Sequence, residues 1–235
     1  MNHPSAKPPA IVLLSGGLDS ATCLAIARRD GYAAHALAFD YGQRHRVELA
    51  CAKRVADHLG AASFRTVVLG LREIGGSALT ADIAVPDAGS SSPSAIPVTY
   101  VPARNLTFLS IAAGLAEVVG AQAVYIGVNA VDYSGYPDCR RPFIDAFEHA
   151  AALGTKSGVE GQRLKVLTPL VSLAKADIIR LGVELGVDFA LTTSCYNPTP
   201  AGLSCGHCDS CDLRRRGFAQ ANVPDPTHYA TRDPA

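Results

Sequence analysis

Two groups of residues in this chain have the types and spacing to do chemistry. The first is Ser15-Gly16-Gly17-Leu18-Asp19-Ser20, placed directly after the apolar run Ala10–Leu14. Glycines there let a backbone approach a ligand closely, and the free N–H groups of a following helix point at it with the positive end of the helix dipole. Ser15 and Ser20 add hydroxyl donors, so the segment from Leu14 through Ala21, Thr22, Cys23 and Leu24 reads as an anion-binding strand–turn–helix. It is neither a Walker A loop nor G-x-G-x-x-G; an ordinary capped turn is the plain alternative. The second group is Cys195, Cys205, Cys208 and Cys211, two consecutive C-x-x-C steps preceded by one more cysteine. Four thiolates suit tetrahedral Zn²⁺ with no open position, and hence a structural role; an iron–sulfur cluster is the chemical rival. His207 lies among them as a bystander.

These groups need a frame. Strand-like stretches at Ala10–Leu14, a continuous apolar run, and at Ala33–Phe39, Ser63–Leu69, Ala123–Val128 and Lys165–Leu167 alternate with helical patterns at Asp19–Arg29, Val47–Leu59, Asn105–Val119, Phe143–Leu153 and Ala174–Leu185. This order predicts an α/β fold, a doubly wound parallel sheet with helices on both faces. Ligands of such sheets sit at the carboxyl ends of the strands, where the Ser15–Ser20 turn falls. Residues 10–190 are expected to form this domain after a flexible stretch over 1–9, with a Gly/Ser/Pro-rich lid loop over 75–97. From about residue 191 to 235 the composition turns to Cys, Gly, Asn and Pro, which marks a small zinc-bearing appendage. The run Arg214-Arg215-Arg216 reads as a solvated helix face rather than an RNA patch.

Bulk properties agree. The 235 residues carry 21 Lys+Arg against 21 Asp+Glu, and 48% are hydrophobic, which excludes a disordered chain. A formal charge of zero weighs against nucleic acid as a partner, because neutralising phosphates leaves a basic excess. No run approaches the roughly 20 apolar residues of a membrane span, and the polar, proline-rich start is unlike a signal peptide. The expected place is the cytoplasm, where thiols stay reduced and clustered cysteines serve as ligands. Cys23 and Cys51 fall in helical patterns as core residues; Cys139, in a polar loop, is open to a nucleophilic or a packing role.

The Ser-Gly-Gly-x-Asp-Ser turn resembles the signature of the PP-loop ATP pyrophosphatases. Within that superfamily, Phe39-Asp40-Tyr41-Gly42-Gln43-Arg44-His45, Val101-Pro102-Ala103-Arg104-Asn105, the stretch Gly127–Arg140 and the cysteine cluster are similar to the 7-cyano-7-deazaguanine synthase family. The likeness spans about Ile11 to Phe218. Leu18, Ala103 and Pro198 depart from it, standing where Gln, Gly and Gly are common. The resemblance implies cleavage of ATP, with Mg²⁺, between its α- and β-phosphates, and a homodimer. It further implies an ATP-dependent ligase that takes a carboxylated deazapurine and ammonia to a nitrile. By the same resemblance Leu14–Leu24 hold ATP, and Asp19, Ser20, Arg44 and Lys175 are catalytic. Arg104, Asn105, Asp132, Tyr133, Asp138 and Arg140 then bind the substrate, and one Zn²⁺ sits on the four cysteines. Plainer readings stay open at several positions: a solvated loop for Arg44 and His45, an ordinary helix start for Arg104-Asn105, a surface lysine for Lys175. A PP-loop tRNA thiolase and a non-catalytic zinc-ribbon module are the rival functions.

Overall fold

The computed structural model describes residues 6–44, 47–90, 96–129 and 135–230. His45, Asp132 and Tyr133, together with Ser91 to Ser94 of the expected lid, lie outside the described residues. Within them the chain runs β1 (Pro9–Leu13), α1 (Leu18–Arg29), β2 (Ala33–Asp40), α2 (Val47–His58), β3 (Ser63–Val68) and a short α3 (Leu71–Ile74). It continues through α4 (Arg104–Val119), β4 (Ala123–Tyr125), α5 (Arg141–Gly154), α6 (Lys156–Val159), β5 (Lys165–Leu167), α7 (Lys175–Glu184) and α8 (Asp209–Ala221).

The five strands form one parallel sheet in the order β3-β2-β1-β4-β5. Strand β1 is central, and its alternating side chains divide between two cores. Ala10, Val12 and Leu14 face one side with α1 and α7, while Ile11 and Leu13 face the other with α4 and α5. The neighbouring strand keeps the same period: Ala34, Ala36 and Ala38 go to the first core, Leu37 and Phe39 to the second. Burying each Leu, Ile or Val side chain stabilises the fold by roughly 1.5–3 kcal/mol, so a one-residue slip of β1 would misplace its whole apolar set. The order in which successive strands are added reverses at β1, which pairs β2 on one side and β4 on the other. The crevice beyond the strand ends at that reversal is where an α/β sheet takes its ligand.

The segment after residue 191 holds a helix that does not stand apart as an appendage. Helix α8 packs against α7, and its Phe218 and Ala221 join the first core. This corrects the reading of Arg214-Arg215-Arg216 as a solvated helix face for Arg214 alone; Arg215 and Arg216 are exposed as expected. Arg214 is only 2% exposed. Its guanidinium donates to Asp225 Oδ1 (3.1 Å), Thr192 Oγ1 (2.9 Å) and the Phe189 carbonyl (3.1 Å), and it sits 4.9 Å from the Phe218 ring centre. Five donors in a fixed fork can satisfy several acceptors at once, which is why an arginine can be buried here.

Candidate functional site

The phosphate-loop corner is built mainly from backbone. Gly16 has φ +86°, and a Cβ on it would lie 2.4 Å from the Glu48 carbonyl oxygen. Only glycine permits that approach, which seats the first turn of α2 on the loop. Helix α1 starts after Gly17 without a side-chain cap, leaving first-turn N–H groups for an anion. Ser20 Oγ donates to the Gly17 carbonyl at 3.0 Å, lies 3.1 Å from Ser15 Oγ and accepts from the Ser15 N–H at 3.2 Å. The Thr193 N–H donates to the Gly16 carbonyl at 3.0 Å, so the chain just before Cys195 closes the loop from outside.

Beside this corner, Lys175 Nζ reaches both Asp19 oxygens at 2.9 Å. The lysine is 5% exposed and the aspartate 19%. A lysine at the first position of α7 is opposed by the helix dipole, and burying its ammonium carries a desolvation penalty, so the pair is held by its surroundings rather than by local preference. Gly217 of α8 makes the channel for its stem, since a Cβ there would come within 2.4 Å of Lys175 Cγ.

The facing wall comes from three separate segments. Phe39 stacks on Phe108 with ring centres 4.0 Å apart, and Tyr41 tilts against the same ring at 5.5 Å. Burial pushes the Tyr41 phenol up to about 12, Glu48 adding to the effect, while Arg104 hydrogen-bonds to it. Burial likewise pushes the half-buried Glu48 carboxyl up to about 7, with the Arg104 cation pulling it partly back. Burial opposes the charge on Arg104, but the acidic groups around it, Tyr41, Tyr136, Asp138 and Cys139, push its pKa up on balance, and its guanidinium stays charged, as arginine does. Tyr136 Oη lies 2.8 Å from Thr99 Oγ1. One cavity is lined by the loop residues Leu14, Ser15, Gly17, Asp19 and Ser20 and, opposite, by Tyr41, Glu48, Arg104, Asn105 and Tyr136.

The expected site residues therefore divide. Asp19, Ser20, Lys175, Arg104 and Asn105 stand at or beside the cavity. Leu18, Ala21, Thr22, Cys23 and Leu24 turn into the core instead, because α1 is buried along that face. Asp138 is a support: its Oδ2 accepts from the Asn105 N–H at 3.0 Å and its carbonyl from Asn105 Nδ2 at 3.2 Å, fixing the start of α4. Arg140 is exposed at the head of α5. Arg44 faces the 79–83 segment rather than the phosphate loop, with Nη1 donating to the Ile83 carbonyl at 3.0 Å. Cys139 is buried, and that burial, with Asp138 beside it, pushes its thiol up to about 12; it packs as a neutral thiol. Tyr41 and Tyr136 fall within stretches marked for the site but were given no role of their own, and Glu48 lies outside every marked stretch.

The four cysteines of the knuckle are all buried, and their sulfurs lie within 4.8 Å of one another. Four sulfurs on one tetrahedral ion at about 2.3 Å would stand about 3.8 Å apart; Cys205 and Cys211 Sγ are 4.0 Å apart. The Asn197 and Cys205 N–H groups donate to Cys195 Sγ at 3.3 and 3.1 Å, as thiolate ligands require. The donor set and its spacing fit a metal ion. His207 turns away to Asp87, Nδ1 to Oδ1 at 2.6 Å, while the Ala88 N–H donates to its carbonyl at 2.8 Å. Residues 87–89 of the expected lid are thus laid along the knuckle.

Comparison with known proteins places these features. The family described as "Queuosine biosynthesis protein QueC" matches residues 9–222. A protein of Methylococcus capsulatus named 7-cyano-7-deazaguanine synthase is 64% identical over 94% of this chain and 98% of its own length. Another of that name, from Paramagnetospirillum magneticum, is 59% identical over 95% and 99%. Among solved structures, NMN synthetase from Francisella tularensis shares the fold at a TM-score of 0.51 and 16% identity, covering 93% of this chain and 79% of that one. With a match running from β1 to the end of α8 and relatives this similar over nearly their whole length, the chain belongs to the QueC family of queuosine biosynthesis proteins.

Proposed function

We propose that this protein is an ATP-dependent ligase that converts 7-carboxy-7-deazaguanine and ammonia to 7-cyano-7-deazaguanine. The observation that carries this reading is the single cavity in which the phosphate loop and the Arg104 wall face each other. It lets one site hold a nucleotide triphosphate and present a carboxylate to its α-phosphorus. A carboxylate is a poor electrophile, so its oxygen first attacks that phosphorus and pyrophosphate leaves. Ammonia then displaces AMP to give the amide, and a second adenylation, on the amide oxygen, allows loss of AMP to the nitrile. Arg104 is the cation suited to orient the carboxylate. Ser15, Ser20 and the first-turn N–H groups of α1 suit the departing pyrophosphate, and Lys175 balances charge through Asp19.

Mg²⁺, when bound with ATP, neutralises phosphate charge; Asp19 is the carboxylate nearest the loop that could hold it. Zn²⁺ on Cys195, Cys205, Cys208 and Cys211 serves structure, closing the knuckle whose preceding residues Thr193 and Ser194 line the cavity. No helix among the described residues is long and apolar enough to cross a membrane, and we place the enzyme in the cytoplasm as a homodimer acting on small molecules, without nucleic acid.

Incubation with ATP, ammonium and 7-carboxy-7-deazaguanine, followed by mass spectrometry, should show AMP and the nitrile together. No AMP release, or AMP release only with tRNA, overturns the reading. Elemental analysis of protein purified without chelator should give about one zinc per chain and no iron.

A further inference from the structure

We propose that Glu48 is the general base of this site, taking the N–H protons that must leave nitrogen on the way from ammonia to nitrile. The inference deepens the ligase reading and rests on it. That reaction makes an unusual demand on its active site. Adenylating the carboxylate moves no proton. Turning bound ammonia into an amide releases one N–H proton as AMP departs. Turning the amide into a nitrile releases two more: the oxygen leaves on AMP, the C–N bond gains two bonding pairs from the broken N–H bonds, and both protons need an acceptor.

Glu48 stands where that acceptor belongs. Asp19 and Glu48 are the two carboxylates lining the cavity among the described residues. Both oxygens of Asp19 are held by Lys175 at 2.9 Å, which leaves Glu48 as the carboxylate on the opposite wall. Its position is fixed from two sides. Its own carbonyl abuts Gly16 of the phosphate loop, and Arg104, the group suited to orient the carboxylate, is the cation acting on it. Glu48 thus borders both the loop proposed to hold the nucleotide and the cation proposed to orient the carboxylate, on the cavity where the nitrogen must enter.

The neighbouring groups do not compete. Tyr41 and Cys139 hold their protons to about 12, Tyr136 is engaged with Thr99, and Cys51, on the same helix as Glu48, has its thiol raised by burial. Glu48 itself titrates near 7 under the opposing pulls of burial and Arg104, close to the value at which a base is both present and effective at neutral pH.

The test uses two readouts on the whole enzyme: exchange of labelled pyrophosphate into ATP driven by the carboxylate, and conversion of the supplied primary amide to nitrile. In Glu48→Gln the ratio of amide conversion to exchange should fall about 10²-fold. The rise of wild-type amide conversion as pH climbs through about 7 should vanish in that variant, and Glu48→Asp should restore part of the ratio. A parallel fall of both activities overturns the proposal, as does an unchanged ratio or a persisting pH rise in Glu48→Gln. Absence of carboxylate-driven exchange in the wild type sinks the ligase reading and this inference with it; normal exchange with an unchanged ratio sinks this inference alone.

Discussion

The phosphate-loop corner and the wall opposite it line one cavity and are made by opposite means. The corner is a continuous segment whose contacts are mainly backbone: Gly16 against the Glu48 carbonyl, Gly17 starting α1, Thr193 closing onto Gly16. The wall gathers Tyr41, Glu48, Arg104 and Tyr136 from three regions of the chain, and its properties lie in side chains whose charges are set by burial. A backbone site binds any group of the right charge and shape. A site of mutually perturbed side chains is tuned to one chemistry. On the proposed function the corner grips phosphate and the wall carries the reaction, and the two should fail in different ways.

Asp19→Asn should cost most. It leaves the Lys175 ammonium buried without its carboxylate, so stability should fall by about 3 kcal/mol and AMP release by about 10²-fold or more. In Asp19→Asn/Lys175→Met, urea unfolding should recover while AMP release stays low; recovery of both would mean the pair is merely structural. Gly16→Ala comes next, at about 2 kcal/mol, because the added methyl meets backbone and φ is left-handed. Nucleotide affinity should weaken with it, and unchanged affinity would break the picture of a backbone-built corner.

On the wall, stability and activity should move in opposite directions. The Glu48 carboxyl is raised from 4.5 to about 7, so the folded state favours its protonated form. Its charge therefore costs stability above about pH 7, and that cost is gone below about 4.5. Glu48→Gln should be more stable than wild type by about 1–2 kcal/mol at pH 8 and equal to it near pH 4.5, read from urea midpoints. Equal stability at pH 8 would show that the carboxylate is not strained by its surroundings. The smallest effect is expected at Ala103, which takes φ +54° before α4. Ala103→Gly should raise the thermal midpoint slightly, through roughly 0.5 kcal/mol, without altering exchange of pyrophosphate.

Much of this was legible beforehand, and unevenly. The sequence placed all five strands to within about three residues; β1 and β4 are short apolar runs buried on both faces, while the edge strands β3 and β5 are partly exposed and were marked by their place between helical patterns. The turn at Ser15–Ser20 and the cysteine spacing were readable because their chemistry depends on near neighbours in sequence. The helix carrying Arg214 was expected, but the burial of Arg214 was hidden by its charged neighbours: the pattern does not show that Phe189, Thr192 and Asp225 converge on one guanidinium. Arg44 and Asp138 were placed in the site by motif, and their side chains turn instead to Ile83 and to the start of α4.

The sequence by itself determined the sheet, the Ser15–Ser20 turn at its centre and the cluster of four cysteines, since each follows from local residue type and spacing. Only the tertiary structure decided which charged groups meet. It buried Lys175 against Asp19 across 156 positions of chain, brought Glu48 beside Arg104, and laid residues 87–89 along the knuckle. The physical reason is that a pattern of apolar and polar residues specifies which faces are buried. The energy of a charge depends instead on the distance to its partner and the water removed from around it, and both exist only once the chain is folded.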